Sequence, residues 1–340
     1  MKNIFKRGSL VVIAFFIQYA AFSQIREVEA IGLTVSQMDR SVKFYSEVLG
    51  FKKISDAELY GTEYEDLQGI FGLRMRIVRM QLGDEFIELT DYLTSGGRTI
   101  PEDAKSNDLF FQHIAIVVSD MDKAYAQLKK YKIEYVSTGP QTLPPSIPAA
   151  AGIKAFYFHD PDKHNLELIY FPKGKGQSKW HPDKDRDNGK IFLGIDHTAI
   201  GVSNTDSSLK FYRDILGIER KGDSWNMGIE QSHLNFIEGA SLHITGLRTQ
   251  EGPGVEFLQY VAPGPGKPYP VDSRTDDIWH WQTTLITGNA EKLYNEFKAG
   301  PYKIVSKRLV YLQAKNGKHS KAFIVRDRDG HAVLILEKIK

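Results

Sequence analysis

There is no cysteine anywhere in the 340 residues. That absence removes disulfides, thiol nucleophiles and zinc–thiolate centres, and it avoids mispairing in an oxidising compartment. An excess of one charge sign is also lacking: 44 Lys and Arg stand against 42 Asp and Glu, a formal charge of +2. A near-neutral chain has no electrostatic footprint for nucleic acid or an anionic membrane. Only the N-terminus reads as a targeting segment; elsewhere no apolar run is long enough to span a bilayer.

At that N-terminus Lys2, Lys6 and Arg7 precede the apolar run 10–17, and Ala20, Ala21 and Ser23 follow. This order predicts a secretory signal peptide over residues 1–23. The cleavage region holds no cysteine, which argues against a lipoprotein. Removing it takes away three positive charges and no negative ones, so +2 becomes −1. The expectation is an exported protein, periplasmic or secreted, with no membrane attachment in its mature form.

What the chain does contain is itself, twice. Val28 to Gly50, VEAIGLTVSQMDRSVKFYSEVLG, returns at Ile195 to Gly217 as IDHTAIGVSNTDSSLKFYRDILG, an offset of 167. In the later copy Thr198, Ile200 and Val202 share one strand face; His197, Ala199 and Gly201 share the other. Ser203 sits at the expected N-cap with Asp206 three residues on, and Gly217 stands where the helix ends. The turns before two later strands match at the same offset: Asp160, Asp162 and His164 against Asp327, Asp329 and His331. Both histidines read as turn-stabilising.

Alternation and helical spacing divide the chain into four strand–helix–three-strand units, an α+β pattern. The expected layout is an N-terminal domain over 26–172 (units 26–97 and 110–172), a polar linker over 173–190, and a C-terminal domain over 191–340 (units 191–262 and 278–340). Glu88, Glu167 and Glu256 each stand on a strand between apolar neighbours, so each points away from one core. A carboxylate there is costly to bury without a cation or hydrogen bonds.

Together the strand–cap–FYxxxLG text, the strand beginning at His113 and the DPDxH-type turns resemble the vicinal oxygen chelate superfamily. That group includes glyoxalase-like lyases, extradiol dioxygenases, epimerases and antibiotic-resistance proteins. The resemblance covers roughly residues 26–340 and implies two tandem domains, each a curved mixed sheet around a metal. It also implies ligands from the first and last strand of each unit. Carried over by position, the N-terminal set is Glu88, His113 and Glu167, with Ala30 unable to ligate. The C-terminal set is His197, Glu256 and Gln282, with Leu334 in the fourth place. His280 replaces Gln282 if the repeat is aligned without a gap. Tyr260 shares the face of Glu256 and is a candidate cavity residue; Trp279 and Trp281 read as packing.

The implied cofactor is one divalent ion per working site: Fe, Mn, Zn or Ni. Each set contains one histidine, which counts against an extradiol dioxygenase, whose iron takes two histidines and a carboxylate. The implied activity is of the lyase or isomerase type. An ion chelates adjacent oxygens of a small molecule and stabilises an enolate, with Glu256 or Glu88 as candidate base. The C-terminal set carries one carboxylate and so leaves positive charge on the ion, which favours it as the working site. Export argues against glutathione- or coenzyme-A-linked substrates and for a free keto-sugar, hydroxy-ketone or phenolic diol. Ring cleavage and non-catalytic sequestration stay open as alternatives. The partner is a small molecule, and a monomer is feasible.

Overall fold

The computed structural model describes residues 25–181, 189–313 and 319–339; the predicted signal peptide lies outside them. The first unit comprises β1 (Ile25–Thr34), α1 (Met38–Glu47), β2 (Lys52–Tyr60), α2 (Thr62–Gln68), β3 (Arg74–Leu82) and β4 (Glu85–Tyr92). The second has β5 (Gln112–Val118), α3 (Met121–Lys130), β6 (Gln141–Thr142), β7 (Lys154–His159) and β8 (Asn165–Tyr170). The third has β9 (Phe192–Gly201), α4 (Thr205–Leu209) running on as a π-helical stretch (Lys210–Ile215), β10 (Glu219–Met227), α5 (Ile229–Asn235), β11 (Ser241–Arg248) and β12 (Gly254–Ala262). The fourth has β13 (Trp281–Thr287), α6 (Ala290–Ala299), β14 (Lys303–Ile304), β15 (Val310–Gln313), β16 (His319–Arg326) and β17 (Ala332–Ile339). None of the described helices is long and apolar enough to cross a membrane.

These strands form two curved mixed sheets, and each sheet takes one unit from each half of the chain. One runs β14-β16-β17-β13-β1-β4-β3-β2, with β15 on β16, and so joins units one and four. The other runs β10-β11-β12-β9-β5-β8-β7-β6 and joins units two and three. The seams are the antiparallel pairs β1·β13 and β5·β9. Consecutive units therefore do not share a sheet, contrary to the ligand grouping expected from sequence.

Consecutive units share a hydrophobic core instead. Ile31, Leu33, Phe44 and Tyr45 of unit one pack with Ile114, Ile116, Phe156 and Leu166 of unit two. Val202, Phe211, Tyr212 and Phe257 of unit three pack with Leu293, Phe297 and Phe323 of unit four. The helices cover the sheets within each half, while the concave faces are built between halves.

The repeated text is a pair of interlocked parts. Tyr45 donates its hydroxyl to Asp160 at 3.2 Å and Tyr212 to Asp327 at 3.1 Å. Asp160 also accepts from the backbone of Asp162 and His164 and from His164 Nδ1 at 2.9 Å. Burial raises the Asp160 carboxyl, but the charge and hydrogen bonds of His164 outweigh it and hold it below its ordinary value. His164 Nε2 reaches across the halves to the Ile278 carbonyl at 2.7 Å, while His331 Nε2 stays within its half and meets the Gly201 carbonyl at 2.8 Å. Asp160→Ala deletes several bonds to one buried charge. It is expected to cost about 3 kcal/mol, read as a lower urea midpoint at unchanged slope.

Some local expectations change. Asn204, not Ser203, caps α4, its side chain accepting from Ser207 N at 2.9 Å; Ser203 N donates to Asp329 instead. The edge strands β2 and β10 run nine residues each, and α2 and α5 follow them. Part of the expected linker is packed structure: Trp180 is buried, and Lys179 pairs with Glu85.

Candidate metal centre

The concave face of the β5–β12 sheet gathers four donors. His113 leaves β5, Glu167 β8, His197 β9 and Glu256 β12. His113 Nε2 lies 3.0 Å from Glu167 Oε2 and 3.5 Å from His197 Nε2. His197 Nε2 lies 3.6 Å from Glu167 Oε2 and 3.3 Å from Glu256 Oε2. The apolar neighbours of each glutamate explain the placement: Leu166, Leu168, Val255 and Phe257 are in the helix-side cores, so the carboxylates face the other way.

The residues fit a divalent ion. Donor separations of 3.0–3.6 Å are the edges expected for a polyhedron with bonds of about 2.1 Å. His113, Glu167 and His197 are all buried, with ligand atoms within 4.8 Å of one another. Two carboxylates and two neutral imidazoles neutralise the charge of such an ion.

Beneath His197 stands a residue that sequence reading missed. Asp196 Oδ2 accepts from His197 Nδ1 at 3.0 Å, which aims Nε2 at the other donors. Strict alternation would turn Asp196 to the helix side. The register breaks there: Ala115 pairs His197 and Ile116 pairs Ile195, so Asp196 is the unpaired residue of a bulge. Trp180 Nε1 at 2.8 Å and Arg248 Nη2 at 2.7 Å hold the carboxylate. Although burial raises the Asp196 carboxyl, the His197 hydrogen bond and Arg248 charge outweigh it and keep it below its ordinary value. For His197, burial opposes charge, but Glu256, Asp196 and Glu167 prevail and lift it to about 9. An ion held there would need that proton displaced. Asp196→Ala is expected to weaken metal affinity about 10–100-fold, measured by competition with a chromophoric chelator.

The other sheet has the same frame with no histidine and only one carboxylate at these positions. In the first sheet, Ala115 pairs Glu167 and Ala199 pairs Glu256, each two residues after a histidine. The equivalent pairs in the second are Gly32 with Glu88 and Thr284 with Leu334, and the seam pairs Ala30 with Thr284 and Gly32 with Gln282. The equivalent positions are thus Ala30, Glu88, Gln282 and Leu334, and this register aligns Gln282 rather than His280 with His113. Glu88 binds Arg79 Nη1 at 2.9 Å. Glu29, the bulge counterpart of Asp196, pairs with Lys338 at 2.8 Å and Arg79 at 3.5 Å. The Gln282 side chain lies on β1; its Cγ would be 2.9 Å from a Cβ at Gly32. His280 meets Gln282 Oε1 at 3.4 Å and Arg326 at 3.2 Å, and burial with the Arg326 charge depresses it to about 3.

The six predicted ligands are therefore regrouped. His113 and Glu167 join His197 and Glu256; Glu88 and Gln282 lie on the other sheet. Two histidines now stand beside one carboxylate, so the count that argued against ring cleavage no longer applies. A second carboxylate also removes the excess positive charge expected of a C-terminal site. Tyr260 is buried in an apolar cluster with Phe111 and Tyr157, outside the residues lining the cavity.

That cavity has a volume of about 300 Å³ and is lined by His113, Glu167, His197 and Glu256 together with an apolar wall that includes Leu143, Ala150 and Ile153. It continues past His197 and Glu256 into an outer groove of about 290 Å³.

The Glyoxalase/Bleomycin resistance protein/Dioxygenase superfamily model matches residues 27–168 and 194–335. The chain belongs to this superfamily. A 2-epi-5-epi-valiolone epimerase of Actinomyces sp is 30% identical over 158 residues, 43% of this chain and 80% of that protein. Glyoxalase I of Saccharomyces cerevisiae is 25% identical over 203 residues, and the match spans 55% of each chain. Among solved structures, glyoxalase I from Zea mays superposes with a TM-score of 0.58 at 16% identity, covering 92% of both chains. A putative dioxygenase from Bacillus subtilis gives 0.56 at 12% identity, covering 94% of this chain and 87% of that one. These two likenesses concern the fold. Superfamily members with such sheets bind small molecules, and the tandem match accounts for the offset repeat.

Proposed function

We propose that this chain is a divalent-metal-dependent enzyme of the isomerase or epimerase type, acting after export on a small molecule with adjacent oxygens. The observation that carries this reading is the unequal setting of two carboxylates beside two buried histidines. The Glu167 side chain is 7% exposed and lies against His113, whereas that of Glu256 is 30% exposed at the junction of cavity and groove.

His113, Glu167 and His197 would hold the ion, with Glu256 beside them. A bound ion supplies Lewis acidity to the substrate oxygens. Glu256 is the carboxylate placed to take a proton from the neighbouring carbon and return it. Asp196 keeps His197 oriented while charge develops in the site, and the apolar wall limits water. The names of the matched relatives, an epimerase and glyoxalase I, fit a reaction of this kind. Export rests on the text of residues 1–23.

The test is deuterium exchange at the carbon next to the carbonyl of an α-hydroxy-ketone, followed by NMR with the protein loaded in turn with Fe²⁺, Mn²⁺, Zn²⁺ or Ni²⁺. Exchange that needs both metal and protein supports the reading. A protein that holds no ion yet binds the ketone is a sequestering module. One further reading has its own observation: His113, His197 and Glu167 form a two-histidine, one-carboxylate set of the type used by iron oxygenases. Oxygen uptake with catechol and Fe²⁺, without proton exchange, selects that reading.

A further inference from the structure

We propose that this cavity selects an uncharged, polyhydroxylated carbonyl compound over one bearing a carboxylate or phosphate, and that Gln231 reads one of its hydroxyl groups. The inference rests on the metal-site reading only for where the carbonyl end sits.

Recognition of an anion needs a free cation, and an arginine fork serves best. The two cations lining the inner cavity are already bonded. Arg248 donates to the Asp196 carbonyl at 2.8 Å and to its carboxylate at 2.7 Å. Lys175 Nζ donates to the carbonyls of Pro148 at 2.7 Å and Ala149 at 3.0 Å. In the outer groove Lys221 pairs with Glu219 at 2.5 Å, and Asp223 adds a carboxylate to the lining. Asp196 and Asp223 are themselves paired with Arg248 and Arg220. A charged substituent would therefore meet the Glu256 carboxylate, and among the described residues no lining arginine is left to form a fork with it.

Neutral polar groups occupy the wall formed by β10 and α5. Ser224 donates to Asn226 Oδ1, and Gln231 Nε2 donates to Asn235 Oδ1. Gln231 is 1% exposed and lines the cavity, and its Oε1 is buried with no partner. A buried amide oxygen in that state is an acceptor waiting for a donor, and a substrate hydroxyl supplies one. The apolar wall opposite suits the C–H side of a ring. A volume of about 300 Å³ equals roughly ten water molecules, room for a six-carbon cyclic polyol.

Titration calorimetry on the metal-loaded protein tests this with three probes: inosose (a cyclic polyhydroxy ketone), its monophosphate ester and a hexuronate. The parent is expected to bind inosose at least tenfold more tightly than either anion. Gln231→Met is expected to weaken inosose about tenfold at unchanged metal content; its Tm should fall through the lost bond to Asn235, so binding is read well below that Tm. Equal or tighter binding of an anion, or no binding of inosose, overturns the proposal on the parent protein alone. An unchanged inosose affinity in a folded Gln231→Met overturns the role of Gln231. Metal per chain is measured on the same samples. Loss of the ion with the selectivity kept in the metal-free protein would fail the metalloenzyme reading and leave this one standing.

Discussion

His197→Ala is expected to leave the protein without stoichiometric metal, whereas Glu88→Ala keeps one ion per chain. His197 contacts all four of the other groups in its site: Glu256, Glu167, Asp196 and His113. Changing the groups that orient a ligand typically costs 10–100-fold in affinity, and removing the ligand itself should cost more than about 100-fold. Glu88 sits at the equivalent position of the other sheet, where Arg79 and not a second histidine meets it. Elemental analysis after dialysis against micromolar metal reads both variants. Two ions per chain in the parent, or loss of the ion in Glu88→Ala, would refute the assignment to one sheet. Glu88→Ala removes the nearer of two carboxylate partners of Arg79, so its Tm should fall even as its metal stays.

Glu256→Gln is expected to lower proton exchange by about 10²–10⁴-fold with metal content retained, because an amide keeps the size and one oxygen of the side chain but is no base. Exchange is read in turnover with saturating ketone, so that a change in binding does not masquerade as a change in chemistry. Glu167→Gln should behave differently. Glu167 is the buried partner of both histidines, at 3.0 and 3.6 Å, so this variant should lose metal affinity and activity together. If Glu256→Gln exchanges protons at the parental rate, Glu256 is not the base.

All four donors of the candidate centre were visible in the sequence as strand positions. Period-two patterning sets Glu167, His197 and Glu256 on one strand face apart from their apolar neighbours, and the resemblance of its strand adds His113. Their grouping was not visible. Periodicity reports which face a residue takes within its unit; it carries no information on which units share hydrogen bonds. Chain order suggested that consecutive units form one sheet, and the cores formed by units one with two and three with four follow that order. The sheets do not. Asp196 was hidden for another reason: a one-residue bulge reverses the face that alternation assigns. The edge strands β2 and β10 lack an apolar face, their burial being exposed almost throughout, so neither gives a strong strand signal. The helices after them are only seven residues long, too short for helical periodicity to stand out.

The seams β1·β13 and β5·β9 make this chain a heterodimer written as one polypeptide. Each half supplies one histidine and one glutamate to the centre, so neither half alone holds a complete set. Severing the backbone between residues 181 and 189 should leave two fragments that stay together through both seams, with the ion still in place. The two sheets share halves but no donor positions, so Ala30 and Leu334 in one sheet leave all four donors of the other untouched. The repeat gives the fold two such faces, and its seams let one carry the four donors while the carboxylates of the other are tied to Arg79 and Lys338.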